Sequence, residues 1–168
     1  DAFGSVPHDY LWNVLKTIGV SKEFITIVKL LYTDTQSFYS CGPIVIPNLS
    51  TKKGVKQGCP LSMILFSIAI NPVLEAIRRS YIEPFMIGDS PVQVLAYADD
   101  IAIVANNVDN HQKIVDVAIE AATEIGFEYR PVKCGYLQLP RVNINGEILI
   151  NEKKIKKYLL EDIYQYIL

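Results

Sequence analysis

Cysteine is scarce in this 168-residue chain: Cys41, Cys59 and Cys134 are odd in number, widely separated and without C-x-x-C spacing. That argues against a disulfide framework or a thiolate zinc site and for reduced thiols. Long uncharged apolar runs are missing too, none reaching the roughly 18 to 20 residues that a membrane span requires. No basic start followed by an apolar block marks a secretory signal. The expectation is a soluble, intracellular protein with no membrane partner. A basic excess is also lacking, since 16 Lys and Arg stand against 18 Asp and Glu for a formal net charge of −2, whereas a domain that grips nucleic acid by itself is usually basic. Lysine is instead concentrated locally, at Lys52-Lys53 with Lys56 and at Lys153-Lys154 with Lys156-Lys157. Each group reads as a solvated face or a phosphate track. With half its residues hydrophobic, the chain can bury one ordinary core, and one domain is expected. It begins at Asp1 without an initiator methionine, which suggests a fragment.

Periodicity predicts the elements. Pro7 at a first helical position, followed by Leu11, Val14, Leu15 and Ile18 and closed by Gly19, predicts a short amphipathic helix. Ser21 can cap a second helix with an apolar stripe of Phe24, Ile27, Val28 and Leu31. From Gln36 to about Ser50 short strand-like pieces punctuated by Gly42, Pro43 and Pro47 predict a β-hairpin. Gly54 to Pro60 forms a glycine-bounded loop leading into a long apolar helix, with Pro72 as a kink or break. Phe85 to Ile87, Val92 to Ala96 and Ile101 to Ala105 read as strands. Asp109 or Asn110 can cap a helix carrying Ile114, Val117, Ala118, Ala121, Ala122 and Ile125, ended by Gly126. Val142 to Ile144 with an Asn145-Gly146 turn and a lysine-rich connection follow. The order fits an α+β fold, an antiparallel sheet covered on one face by helices. With a strand before Asp1 it becomes the split β-α-β-β-α-β, ferredoxin-like arrangement.

The most informative residues are Tyr97-Ala98-Asp99-Asp100, where two adjacent carboxylates stand at the bend between two apolar runs. Strands are depleted in Asp, and turns draw more readily on Gly, Asn or Ser, so two acids with no Lys or Arg beside them are costly. A bound divalent cation would offset their repulsion, and two such ions about 4 Å apart can clamp the attacking and leaving oxygens of a phosphoryl transfer. A solvated hairpin turn is the plain alternative.

Four segments then agree in type and order: Asp1-Ala2-Phe3-Gly4-Ser5-Val6-Pro7-His8, Gly54-Val55-Lys56-Gln57-Gly58-Cys59-Pro60-Leu61-Ser62, Ala96-Tyr97-Ala98-Asp99-Asp100, and Gly126-Phe127 through Lys133-Cys134. Together they resemble the palm of a reverse transcriptase, an RNA-directed DNA polymerase, of the non-LTR (LINE-type) retrotransposon group. The resemblance covers nearly the whole chain and implies one reverse transcriptase domain over 1–168. That domain would be the polymerase palm with part of the fingers, without the thumb or the start of the first motif.

The resemblance also implies roles. The family's first metal-binding Asp would lie three residues before Asp1, leaving Asp1 and Ala2 near the triphosphate and Phe3 as the aromatic gate against a ribose 2′-OH. Gln57 and Gly58 would line the nucleotide pocket. Asp99 would bridge two Mg2+ ions, with Mn2+ an admissible substitute, and Asp100 would support it. Lys133 would meet departing pyrophosphate as a general acid. Tyr97 would pack near the primer terminus. Tyr164 and Tyr166 resemble the start of the Tyr-x-Tyr-Leu-Gly primer hairpin, although Leu168 stands where the family has Gly, and Arg130 replaces a commoner Asn. His8 reads as a surface or helix-start residue. The implied substrates are an RNA or DNA template, a DNA primer and a dNTP, and the implied setting is the nucleus and cytoplasm of a eukaryotic host. A catalytically inactive retrotransposon remnant or nucleic-acid-binding module is one alternative. A two-metal nuclease is another, but it leaves Gly54 to Ser62 unexplained.

Overall fold

Leu11 and Leu15 are four residues apart and so share one helix face. In the computed structural model, which describes residues 2–32, 36–41, 44–50, 52–56, 58–138 and 146–159, both are buried on α1 (His8–Thr17). Pro7 stands one position earlier than expected, as the N-cap with an extended backbone. The helix ends where Gly19 takes φ +85°. There the Gly19 N–H donates to Lys16 O at 3.1 Å and the Val20 N–H to Leu15 O at 3.0 Å, the paired closure of a Schellman motif. Ile18 is the C-cap and exposed, so it drops out of the predicted stripe.

Ser21 caps α2 (Lys22–Tyr32) as expected, its Oγ accepting from the Phe24 N–H at 3.2 Å. The buried face is different: Ile25, Val28 and Tyr32 are inside, while Phe24, Ile27 and Leu31 are exposed. Apolar residues surround most of this helix, so periodicity alone does not choose a face. Aromatic packing does: the Tyr32 ring meets His8 and Trp12 edge-on, at centroid distances of 5.3 and 5.8 Å.

β1 (Gln36–Cys41) and β2 (Ile44–Ser50) form the expected antiparallel hairpin. Its register slips between Ser37↔Leu49 and Tyr39↔Ile46, which leaves an extra residue on β2 at Pro47–Asn48. A proline, having no N–H to give the ladder, belongs at such a bulge.

α3 (Pro60–Arg79) runs unbroken through Pro72, so of the expected kink or break there is no break. The proline withholds one hydrogen bond from the Ile68 carbonyl, but burial of Leu65, Phe66, Ala69, Ile70, Val73, Leu74 and Ile77 along the helix outweighs that loss. By length and composition alone α3 could cross a bilayer, which corrects the expectation that no run is long enough, since Gln57 to Leu74 is 18 residues without a charge. These buried positions make it a core helix.

The chain divides into two compact units, 1–71 and 72–168. The first buries Val6, Leu11, Leu15, Val28, Val55, Leu65 and Phe66. In the second, β3 (Phe85–Ile87) pairs antiparallel with β4 (Ser90–Val92), and β5 (Val94–Tyr97) with β6 (Asp100–Ile103). α4 (Val108–Glu124) is capped by Asn107, whose side chain accepts from the Asn110 N–H at 2.8 Å. Asp109 and Asn110, the expected caps, lie inside the helix. Gly126, at φ +79°, closes it as expected.

The lysine-rich connection is in fact strand. β8 (Leu149–Ile150) pairs antiparallel with β9 (Lys153–Lys154), and β10 (Lys156–Leu159) pairs in parallel with β7 (Gly135–Gln138). Val115, Tyr136, Ile148, Ile150 and Ile155 form the buried cluster behind them. Val142 to Asn145 lie outside the described residues. The fold is mixed α+β, and among the described residues its strands form five two-stranded ladders rather than one sheet.

Candidate active site

The acidic bend is the tip of the β5–β6 hairpin. Tyr97 pairs with Asp100 as the last rung, so Ala98 and Asp99 are the two loop residues. Ala98 has φ +53°, and no other residue of the tip is left-handed, the pattern of a type II′ turn, whose first central position normally belongs to glycine. An alanine held there costs on the order of 1 kcal/mol or more. The hairpin's base supplies the restraint. Val94 is buried, Ile103 packs on the core cluster, and the Val104 N–H extends the ladder to Gln93 O at 2.9 Å. Gln93 Nε2 in turn donates to Ile82 O at 2.8 Å.

Asp99 and Asp100 are both exposed, and Tyr97, 81% exposed, stands outside the core. Among the described residues no group of three His, Cys, Asp or Glu side chains is placed to hold a metal ion. What the turn presents is two adjacent carboxylates, oxygen donors suited to a hard cation that retains several waters. Lys133 ends a 3₁₀ turn, Pro131–Lys133, with its side chain exposed. Behind it, burial pushes the Cys134 thiol up, and burial followed by the neighbouring Cys134 raises the Tyr129 phenol.

The other predicted residues belong to the first unit, where Phe3 to His8 is fastened to Lys52 to Val55. The Val55 N–H donates to Phe3 O at 2.8 Å, the Gly54 N–H to Val6 O at 2.7 Å and the His8 N–H to Lys52 O at 3.2 Å. Gly54, at φ +95°, sits so close to Gly4 that a Cβ would come within 3.0 Å of the Gly4 Cα. Phe3 is half-buried and stacks on buried Phe66, with centroids 4.5 Å apart and planes 12° from parallel. Ala2 is half-buried beside it. Gly58 is exposed at φ +81° with open space around it. Asp1, Gln57, Tyr164 and Tyr166 lie outside the described residues. Ala2, Phe3 and Gly58 are thus in one unit, and Tyr97, Asp99, Asp100 and Lys133 in the other.

Three supporting residues escaped the sequence reading. His8 opens α1, as the helix-start reading expected, but it also ties the two segments: its Nε2 lies 2.8 Å from Gly54 O, and since a carbonyl only accepts, that nitrogen carries the proton. Ser62 is buried, and its Oγ donates to Lys56 O at 2.6 Å. The Tyr32 hydroxyl receives the Lys56 N–H at 3.4 Å and lies 3.4 Å from Ser62 Oγ. Two hydroxyls therefore hold the Lys56 peptide groups from either side. A serine in the first turn of an otherwise apolar helix was the available signal.

The family profile described as reverse transcriptase (RNA-dependent DNA polymerase) matches residues 1–159. A Xenopus laevis transposon TX1 uncharacterized 149 kDa protein is 33% identical over 112 residues, 64% of this chain and 8% of that protein. The Drosophila melanogaster retrovirus-related Pol polyprotein from the type-2 retrotransposable element R2DM is 25% identical over 133 residues, 79% of this chain and 12% of its own length. A Bradysia coprophila Pol polyprotein from a type-1 retrotransposable element R2 is 26% identical across 99% of this chain, matching 20% of that protein. The chain thus spans a fifth or less of each of these relatives. The matched family profile and the strained two-acid turn meet in one conclusion: this chain belongs to the reverse transcriptase family of RNA-directed DNA polymerases.

Proposed function

We propose that residues 1–168 form one domain, the palm with part of the fingers, of a non-LTR retrotransposon polymerase. Its reaction is nucleotidyl transfer from a dNTP to a primer 3′-OH opposite an RNA or DNA template, in the nucleus and cytoplasm of a eukaryotic host. The observation that carries this reading is the β5–β6 tip, where Ala98 at φ +53° presents Asp99 and Asp100 to solvent. In the palm arrangement this hairpin would be the central pair of the split β-α-β-β-α-β sheet, with α3 and α4 as its helices.

Asp99 and Asp100 would hold Mg2+, their hard oxygen donors matching its preference. When bound, the metal ions supply charge stabilisation to the attacking and leaving oxygens of an in-line displacement. The chain's own residues supply positioning. Phe3, resting on Phe66, would stand against the sugar and disfavour a 2′-OH. The backbone at Gly58 would allow close approach of the nucleotide, with Gln57 and Asp1 beside it. Tyr97 would contact the primer end, as would Tyr164 and Tyr166. Lys133 would donate a proton or a charge to departing pyrophosphate.

The test is primer extension by a polypeptide extended upstream of Asp1 with a segment supplying the family's first carboxylate. Asp99→Asn should lower extension by at least about a hundredfold, the scale of losing a preorganised electrostatic group, with the fold unchanged because the side chain is exposed. A parent that does not extend the primer, or an Asp99→Asn loss under about tenfold, would refute the proposal.

A further inference from the structure

The Lys56 N–H donates to the Tyr32 hydroxyl at 3.4 Å, and the Ser62 hydroxyl donates to Lys56 O at 2.6 Å. The two hydroxyls lie 3.4 Å apart, and chemistry fixes the direction between them. Ser62 has one proton and gives it to a carbonyl, so Tyr32 donates and Ser62 accepts. The bonds therefore close a ring, from Lys56 N–H to Tyr32, from Tyr32 to Ser62 and from Ser62 back to Lys56 O. Members of such a ring polarise one another, and deleting one leaves the others short of a partner.

Neither hydroxyl does here what it would do by default. Thr17, Thr26 and Thr123 each donate to the carbonyl four residues back in their own helix. Ser62, in the first turn of α3, reaches six residues back instead, to a carbonyl outside its helix. Tyrosine aside, it is the one polar residue buried among the described residues. An alanine would fill its place on a face otherwise made of Leu65, Phe66 and Ala69 with no partner to find. Tyr32 comes from α2, 24 residues before Lys56. Its ring lies edge-on to His8, and Lys56 Nζ stands over it, 5.6 Å from the centroid. His8 holds Gly54 O, so the loop is fixed both at Gly54 and at Lys56.

What the ring grips is the start of a turn. Lys56 O also receives the Cys59 N–H at 3.3 Å, and exposed Gly58 takes φ +81°, the left-handed third residue of a type II turn. The Lys56 carbonyl belongs to the peptide group that joins Lys56 to Gln57. Because that group is planar, holding the oxygen sets the plane in which the chain leaves Lys56. Four residues along α3 from Ser62, Phe66 carries the Phe3 ring. One helix face thus supports both the turn and the ring proposed to face the sugar.

We infer that Tyr32 and Ser62 are positioning residues for the incoming nucleotide, their hydroxyl ring holding the Lys56–Cys59 turn in the geometry that binds dNTP. They set dNTP affinity rather than the rate of transfer. The inference rests on the nucleotidyl-transfer reading. The competing explanation is that two buried hydroxyls merely satisfy each other. That role affects how much protein is folded and leaves the affinity of the folded fraction unchanged.

The experiment titrates dNTP in primer extension by the polypeptide extended upstream of Asp1, with and without Ser62→Ala or Tyr32→Phe. Ser62→Ala should raise the KM for dNTP about fivefold, the scale of one hydrogen bond, with kcat held within about twofold. Tyr32→Phe keeps the ring and removes longer bonds, so its KM should rise about two- to threefold. Amide hydrogen exchange of the 168-residue chain reads the turn directly. In Ser62→Ala the Cys59 amide should exchange about fivefold faster, while the Val55 amide, bonded to Phe3 O at 2.8 Å, keeps the parent rate. An unchanged KM with a lowered kcat, or Cys59 and Val55 amides accelerating together, would overturn the inference and leave the polymerase reading intact. A parent that extends no primer would sink that reading and the inference with it.

Discussion

Gly54→Ala tests whether the first unit depends on one backbone crossing. At φ +95° an alanine is strained by roughly 1 to 2 kcal/mol. Its methyl would also meet Gly4 Cα at 3.0 Å, Gly4 O at 3.1 Å and Gly4 C at 3.3 Å. All three are backbone atoms that cannot rotate away, and overpacking of this kind costs about 1 to 3 kcal/mol. Relieving it by separation would stretch the bonds from Gly54 to Val6 O and from Val55 to Phe3 O. Gly19→Ala is the matched control, because Gly19 has a similar φ of +85° and nothing within 4 Å of its added Cβ. After about 0.4 to 1 kcal/mol is returned through the unfolded chain, Gly19→Ala should cost about 1 kcal/mol and Gly54→Ala about 3. The assay is urea unfolding followed by Trp12, the chain's single tryptophan, which stands in the His8–Tyr32 cluster that the crossing supports. Equal midpoints for the two variants would refute the reasoning, since the close approach would then contribute nothing beyond a left-handed backbone.

Tyr10 donates to Ala69 O at 2.8 Å, and burial pushes its phenol from 10.0 up to about 12. Between those values the unfolded chain loses the proton first, so stability should be full below pH 10 and fall as pH rises toward 12; alkaline unfolding curves of Tyr10→Phe should lack that slope and show a loss of about 1 kcal/mol near neutrality. His111 is shifted the other way, below 6.5 by burial, so its contribution is present above pH 6.5 and lost as pH falls through the lower folded value; His111→Gln should flatten the acid arm of stability between pH 7 and 5. Asn107→Ala removes the acceptor for the Asn110 N–H at 2.8 Å and should cost about 1 kcal/mol by urea unfolding monitored by circular dichroism. Ala98→Gly relieves the left-handed strain at the acidic tip and should raise stability by about 0.5 to 1 kcal/mol in the same measurement, whereas no change would mean that the tip stores no strain.

The parts of the fold that were legible are those decided within a few residues. Gly19 and Gly126 end helices because a left-handed closing residue is a local requirement, and Ser21 caps because its hydroxyl reaches only its own first turn. The buried face of α2 was not legible, since apolar residues line most of its circumference and the choice falls to Tyr32 packing on Trp12 and His8, twenty or more residues away. Asn107 rather than Asp109 or Asn110 caps α4 because several capping residues stand in succession and the chain's entry angle decides between them. The parallel pairing of β7 with β10 joins segments about twenty residues apart, and no property of a lysine-rich stretch announces it. The candidate site divides in the same way. Its acids were visible because strands and turns seldom carry such an adjacent pair, while the roles of His8 and Tyr32 were invisible because the peptide groups they bond lie 46 and 24 residues away, and Ser62 left only the signal of a serine in an apolar first turn.

That division bears on what the acidic turn is for. A two-residue hairpin needs one left-handed residue at this position, and glycine fills it at no steric cost. At Gly88, the corresponding position of the β3–β4 turn, glycine stands with φ +59°. At Ala98 the same geometry carries a side chain, and where Gly88 is followed by one carboxylate and a serine, Asp89 and Ser90, Ala98 is followed by two adjacent carboxylates, Asp99 and Asp100. Both choices oppose stability, and they coincide on a tip whose base is fixed by Val94, Ile103 and Gln93. A turn that only reversed the chain would have no use for either, whereas one that must hold two carboxylates in a set direction has use for both.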